Sequence, residues 1–232
     1  MVRKMVDGMA EQRIRVLDGG PYRVEAGVPL LDHEGGEIEA PPAYSLCRCG
    51  GSSRKPFCDG THKSNNFNGQ EFASKDAAAD RVQNYVGEGV TIHDDRSRCA
   101  QAGVCTDNLS AVFKLGVEPW IDPGGAEADE IARVVSLCPS GALSYSLSGS
   151  SEPVEHPKGP SITVARDAPY AVRGLQVVAG DGQAYDSRER QALCRCGGSR
   201  NKPFCDGTHW HMGFKHEMGD DSSFSASDSG GG

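Results

Sequence analysis

The chain has 232 residues and a formal net charge of −8, and Leu, Ile, Val and Phe fill only 42 positions. A share below about a fifth, with that charge, leans towards disorder, and 30 glycines add little buried area while losing the most backbone entropy. No run of about 18 apolar residues is available to span a membrane, the first twenty residues carry Arg3, Lys4, Asp7 and Glu11 instead of a signal-peptide core, and the acidic balance argues against a nucleic-acid partner.

Something besides apolar burial must support so thin a core. The nine cysteines are the available resource, and an odd number cannot pair fully into disulfides. In the reducing cytosol expected for this chain, cysteine clusters read as metal-binding or catalytic.

In chain order, Ile14-Arg15-Val16, Pro21-Tyr22 and Val24 lead into a segment from Cys47 through Cys49, Pro56 and Cys58 to His62. The same pattern returns near the C-terminus. Ile162, Val164, Pro169-Tyr170 and Val172 lead into Cys194, Cys196, Pro203, Cys205 and His209, shifted by 147 or 148 positions. Two copies of a unit of about 55 residues make a duplicated domain, not a solenoid.

Between them lies a different unit. Tyr85 to Ile92 reads as a strand interrupted by Gly87 and Gly89, and Val117 to Ile121 as a second strand. A helix is expected from about Ala126, with Ile131, Val134, Val135 and Cys138 on one face and Pro139 stopping it. Ala142 to Leu147 closes the unit as a strand, and a proline-rich linker, 148–161, follows. The resulting division is 1–84, 85–149 and 150–216, with a disordered tail at 217–232.

Each copy offers three thiols and one imidazole within sixteen residues. The C-x-C pair can grip one metal ion, while the third Cys and the His sit a turn apart, with Asp59 or Asp206 suited to cap that turn. By ligand type alone, a tetrahedral Cys₃His zinc site and a [2Fe–2S] cluster fit equally well.

Both copies resemble the CDGSH iron–sulfur family, the mitoNEET-like proteins. The fixed positions are Cys47, Cys49, Ser52, Pro56, Cys58, Asp59, Gly60, Thr61 and His62, and again Cys194, Cys196, Ser199, Pro203, Cys205, Asp206, Gly207, Thr208 and His209. The resemblance implies a [2Fe–2S] cluster on Cys47, Cys49, Cys58 and His62 and another on Cys194, Cys196, Cys205 and His209. It also implies a homodimer of single sites, which two copies in one chain can replace internally.

Cys99, Cys105 and Cys138-Pro139 resemble a divergent mono-cluster ferredoxin in which Ala102 stands where the second cysteine belongs. Three thiolates leave one corner of a cube open. The centre is then [3Fe–4S], or [4Fe–4S] with a non-cysteine ligand such as water or His93.

Other residues read as background. His33, His156, His211 and His216 suit exposed loops, although His211 could tune the second site. Trp120 suits the core, Asp94 and Asp95 a solvated turn, and Arg48, Arg195, Lys55 and Lys202 either surface charge or contacts that support the clusters.

The expected architecture is α+β: two small β-rich CDGSH domains forming an intrachain pseudo-dimer, with an inserted ferredoxin-like domain. Without a nucleotide-binding motif or nucleophile constellation, the chain reads as a carrier and not an enzyme. Its expected role is electron transfer, with cluster storage or transfer and a zinc-stapled interaction module as alternatives. The expected partner is a redox protein or an apo iron–sulfur acceptor, met by a cytoplasmic monomer away from any membrane.

Overall fold

The computed structural model describes residues 11–150, 152–154 and 158–216. The tail at 217–232 and His156 lie outside the described residues.

The first copy supplies β1 (Arg13–Val16), β2 (Tyr22–Glu25), β3 (Leu30–Leu31) and β4 (Tyr44–Leu46), then a 3-10 turn at Thr61–Lys63. After α1 (Ala78–Arg81), the middle unit runs β5 (Gln83–Val86), β6 (Val90–Asp94), α2 (Val104–Asn108), α3 (Ala128–Ser136) and β7 (Leu143–Leu147). The second copy supplies β8 (Ser161–Val164), β9 (Tyr170–Arg173), β10 (Gln176–Val178), β11 (Arg190–Leu193) and α4 (Thr208–His211). The chain is mixed α+β, with sheets predominating.

The copies exchange strands. One sheet has the order β10-β1-β2-β4 and the other β11-β9-β8-β3. β10 of the second copy pairs parallel with β1, and β3 of the first pairs parallel with β8. Alternation along β1 and β8 turns Ile14, Val16, Ile162 and Val164 inward. They join Tyr22, Leu30, Tyr170 and Val177 in one core drawn from both copies. Sharing one interior allows two small units to bury more apolar surface than either could alone.

The middle unit is a three-stranded antiparallel sheet, β5-β6-β7, under α3. Helix α3 presents Ile131, Val134 and Val135 to Val90 and Ile92, as the sequence period predicts. Two expectations need correction. Gly87 and Gly89 do not interrupt one strand. They form the turn between β5 and β6, where Gly89 has φ +78° and the Gly87 N–H donates to Val90 O. Val117 to Ile121 is not a strand either, since only Ile121 bridges, to Phe113.

The middle unit docks on the second copy. The Arg190 guanidinium donates to the carbonyls of Ser136 and Cys138 at 2.6 and 2.7 Å, at the end of α3. Arg98 lies 4.1 Å above the Phe204 ring, and the Asn201 amide donates to Ser97 O. A buried ion pair, Arg81–Asp95 at 2.7 Å, fastens the same corner.

Candidate metal centres

In the first copy, Cys47 Sγ and Cys49 Sγ are 3.8 Å apart, and Cys58 Sγ lies 3.4 Å from His62 Nδ1. The second copy repeats this: 3.8 Å for Cys194 and Cys196, and 3.3 Å for Cys205 and His209 Nδ1. Two thiolates on one tetrahedral metal, with bonds of about 2.3 Å, stand about 3.8 Å apart, and a thiolate–imidazole edge is slightly shorter. Both pairs therefore match edges of a metal tetrahedron. Among the described residues, no three such groups gather as one ion would require.

Local chemistry fits thiolate ligands. The N–H groups of Gly51, Gly198 and Gly207 donate to Cys49, Cys196 and Cys205 at 3.4 Å. Asp59 and Asp206 each accept the N–H of the threonine that opens the histidine turn, at 3.0 Å, although the residue at the cap itself is Gly60 or Gly207. Burial holds His62 and His209 below the ordinary imidazole value, keeping the rings neutral as metal ligation requires. Among the described residues, His209 Nε2 is buried without a hydrogen-bond partner, while Nδ1 faces Cys205.

The basic residues beside the cysteines are not surface charge. Arg48 is buried and donates to the carbonyls of Leu17, Gly20 and Gly69. Arg195 does the same for Ala165 and Ala168, with His216 Nδ1 as its remaining partner. His216 is thus half-buried and engaged, unlike the exposed His33 and His211. Lys55 and Lys202 donate to the carbonyls of Ser52 and Ser199, tightening each cysteine loop.

The two centres are neighbours but differ in cover. A Cβ on Gly50 would meet Cys196 O at 2.7 Å, and one on Gly197 would meet Cys49 O at 2.8 Å, so the cysteine loops pack backbone to backbone. Cys194, Cys196, Cys205 and His209 are all buried, whereas Cys49, Cys58 and His62 are half-exposed. The difference comes from the middle unit: Ala100 packs on Cys205, and Gln101 covers Gly207.

Cys99, Cys105 and Cys138 line one cleft with Asp94, Trp120 and Leu143. Burial pushes the Cys105 thiol up to about 11, and the nearby Cys138 and Cys99 add to the rise. Ala102 lies on the same wall and offers no donor.

His93 is absent from that wall. It sits on the other face of the sheet, with Nδ1 2.6 Å from Asn84 Oδ1 and Nε2 3.0 Å from Ser146 Oγ, so both ring nitrogens are engaged. Asp94 and Asp95 are buried at 4% and 3% exposure and form no solvated turn. Trp120 is part of the cleft as well as of the core, beneath Arg96 at 3.8 Å and donating to Asp94.

The Iron-binding zinc finger CDGSH type family matches residues 19–63 and 167–210, on both paired sites. The chain belongs to the CDGSH iron-binding family. The Divergent 4Fe-4S mono-cluster family matches residues 85–148 between the two copies, and the chain is an iron–sulfur protein. It is similar to Uncharacterized protein YjdI of Escherichia coli K12 and of Escherichia coli O157:H7. Each is 33% identical over 61 residues, spanning 26% of this CDGSH chain and 80% of the relative. No solved structure matches. Among the described residues, no helix is long and apolar enough to cross a membrane.

Proposed function

We propose that the chain is an electron carrier with three iron–sulfur centres in line. A [3Fe–4S] or [4Fe–4S] cluster is held by Cys99, Cys105 and Cys138. It is followed by a [2Fe–2S] cluster on Cys194, Cys196, Cys205 and His209, and then by another on Cys47, Cys49, Cys58 and His62. The clusters supply reversible one-electron chemistry, and the protein sets their order, cover and spacing.

The observation that carries this reading is contiguity. The Ala100–Gln101 segment beside Cys99 packs on Cys205 and Gly207, and the two CDGSH loops meet at Gly50 and Gly197. The strand exchange supports a further reading, that the two copies form an internal pseudo-two-fold pair in place of a homodimer, in a monomeric chain. The half-exposed first-copy centre then faces a soluble redox partner, and the covered second-copy centre serves as the internal step.

Potentiometric titration of the iron-loaded chain, followed by electron paramagnetic resonance, tests the proposal. Three centres that are reduced and reoxidised without iron loss are expected. Replacing Cys105 with Ser should remove the middle signal and slow electron entry to the other two. Clusters that are destroyed on reduction would overturn the reading, as would zinc without sulfide.

A second reading, cluster donation, draws support from the exposure of Cys49, Cys58 and His62. Transfer of [2Fe–2S] to an apo-ferredoxin from the first copy alone would favour it.

A further inference from the structure

The three cysteines of the middle cleft leave one metal position without a thiolate, and the obvious nearby imidazole, His93, faces the wrong way. Strand β6 explains why. Side chains alternate across a strand: Val90 and Ile92 point into the core beneath α3, and Asp94, two residues further, continues that face and reaches the cysteine cleft. His93, between them, points to the opposite face.

Asp94 is held there. Its Oδ2 accepts the Trp120 indole N–H at 3.1 Å and lies 3.5 Å from the Arg96 guanidinium, which is 3.8 Å from Cys99 Sγ. Its Oδ1 is fully buried and, among the described residues, has no hydrogen-bond partner. A carboxylate oxygen left in that condition costs free energy until something electropositive takes its lone pairs. On the same wall Arg96 and Trp120 engage Oδ2, and Ser140 already pairs with Cys138 Sγ and the Ala142 N–H. Ferrous iron accepts carboxylate oxygen alongside softer ligands.

We infer that Asp94 Oδ1 is the fourth protein ligand of the middle centre, holding the iron that Cys99, Cys105 and Cys138 leave without a thiolate. The inference rests on the proposed cluster at those cysteines. It would make the centre convertible: once a low-potential one-electron donor, such as dithionite, had brought an oxidised three-iron core to [3Fe–4S]⁰, Asp94 would hold the added ferrous ion by an oxygen electron pair, and the sum is [4Fe–4S]²⁺. Arg96 and Trp120 act as positioning residues, fixing Oδ2 so that Oδ1 faces the cleft.

The test uses the full chain, loaded anaerobically with ferrous iron, sulfide and dithionite and then oxidised. Oxidised [2Fe–2S] and [4Fe–4S]²⁺ are silent in electron paramagnetic resonance, so the signal counts three-iron centres only. The Asp94→Asn variant is expected to show a strong three-iron signal, one iron fewer per chain, and on the order of 10-fold weaker retention of the fourth iron against a chelator. The Asp94→Cys variant is expected to keep the signal low and to retain that iron longer than the parent.

Parent and both variants giving the same signal and iron content would overturn the ligand assignment while leaving the cluster in place. A Cys105→Ser chain whose iron content matches the parent would instead overturn the middle cluster itself. If Asp94→Asn fails to fold, Asp94→Cys decides alone: a three-iron signal approaching one spin per chain places Asp94 away from the open corner.

Discussion

Tyr22 and Tyr170 meet edge to face, with ring centroids 6.1 Å apart and planes at 84°, and each serves the other copy's metal loop. Tyr22 Oη lies 2.9 Å from both Cys194 O and Pro203 O, and Tyr170 Oη lies 3.0 Å from both Cys47 O and Pro56 O. Each hydroxyl proton is thus shared between two buried carbonyls of the opposite copy.

Replacing Tyr22 with Phe keeps the ring contact and deletes only that proton. Cys194 O loses the Tyr22 donor, while Pro203 O keeps only the Cys194 N–H, at a cost of about 1–3 kcal/mol. The centre on Cys194, Cys196, Cys205 and His209 should then decay faster on heating, while the centre in Tyr22's own copy is spared. Decay of visible absorbance, compared in chains carrying Cys47→Ser or Cys194→Ser, separates the two. Faster decay confined to the first copy would contradict the crossed arrangement.

His216 gives the second copy a titratable clasp that the first lacks. In the first copy Arg48 donates to Gly69 O, and in the second the corresponding partner of Arg195 is His216 Nδ1. Burial, then Arg195 and Lys55, push His216 down to about 4, while Asp167, which accepts the His216 backbone N–H and pairs with Lys215, pulls the other way. The folded value lies below the ordinary one of about 6.5, so the unfolded chain binds the extra proton first. This site's contribution is therefore whole above about pH 6.5 and is lost as pH falls towards 4. A His216→Gln chain, whose amide oxygen accepts from Arg195 without titrating, should show a flatter dependence of the urea midpoint in that window. Identical slopes for parent and variant would contradict it.

The pairing of Cys and His in each copy was legible because the same spacing occurs twice, and helix α3 because its apolar period is unbroken. The strand exchange was not. Alternation along Ile14 and Val16 tells which face is buried but not whether the neighbouring strand is Leu30–Leu31 or its counterpart Gln176–Val178. Asp94 was missed because two adjacent carboxylates read as solvated. The signal was present in Val90-x-Ile92-x-Asp94, whose period of two sets Asp94 on the buried face and His93 on the other. Arg48 and Arg195 were hidden for a related reason: a lone cation between cysteines does not announce the carbonyls that chain reversal brings to it.

The low apolar content that first suggested disorder is offset by pooling. Residues of both copies fill one core, whereas the cysteine loops are held by polar contacts of Arg48, Arg195, Lys55, Lys202, Tyr22 and Tyr170 and contribute little apolar burial of their own. Iron removal should therefore unfold much of the chain, because binding free energy at such sites is also folding free energy. Circular dichroism before and after chelation measures this, and an unchanged spectrum would show that the pooled core suffices.

Arg190 is the joint between the middle centre and the second copy. From β11 it reaches the last carbonyls of α3, where a cation meets the carbonyl acceptors and the negative end of the helix dipole. Hydrogen bonds to a charged group contribute about 1.5–3 kcal/mol each, so Arg190→Met should destabilise the docked state by about 3 kcal/mol after solvent takes over some of the carbonyls. The stem of Met still covers the strand, which confines the loss to the guanidinium. With the Cys99 loop no longer pressed on Cys205, electron exchange between the middle and second-copy centres should slow, while exchange between the two CDGSH centres, which depends on Gly50 and Gly197, is unchanged. Rapid-mixing reduction monitored by freeze-quenched electron paramagnetic resonance resolves the two steps. Equal rates in parent and variant, despite a lowered urea midpoint, would show that the middle centre does not pass electrons through this interface.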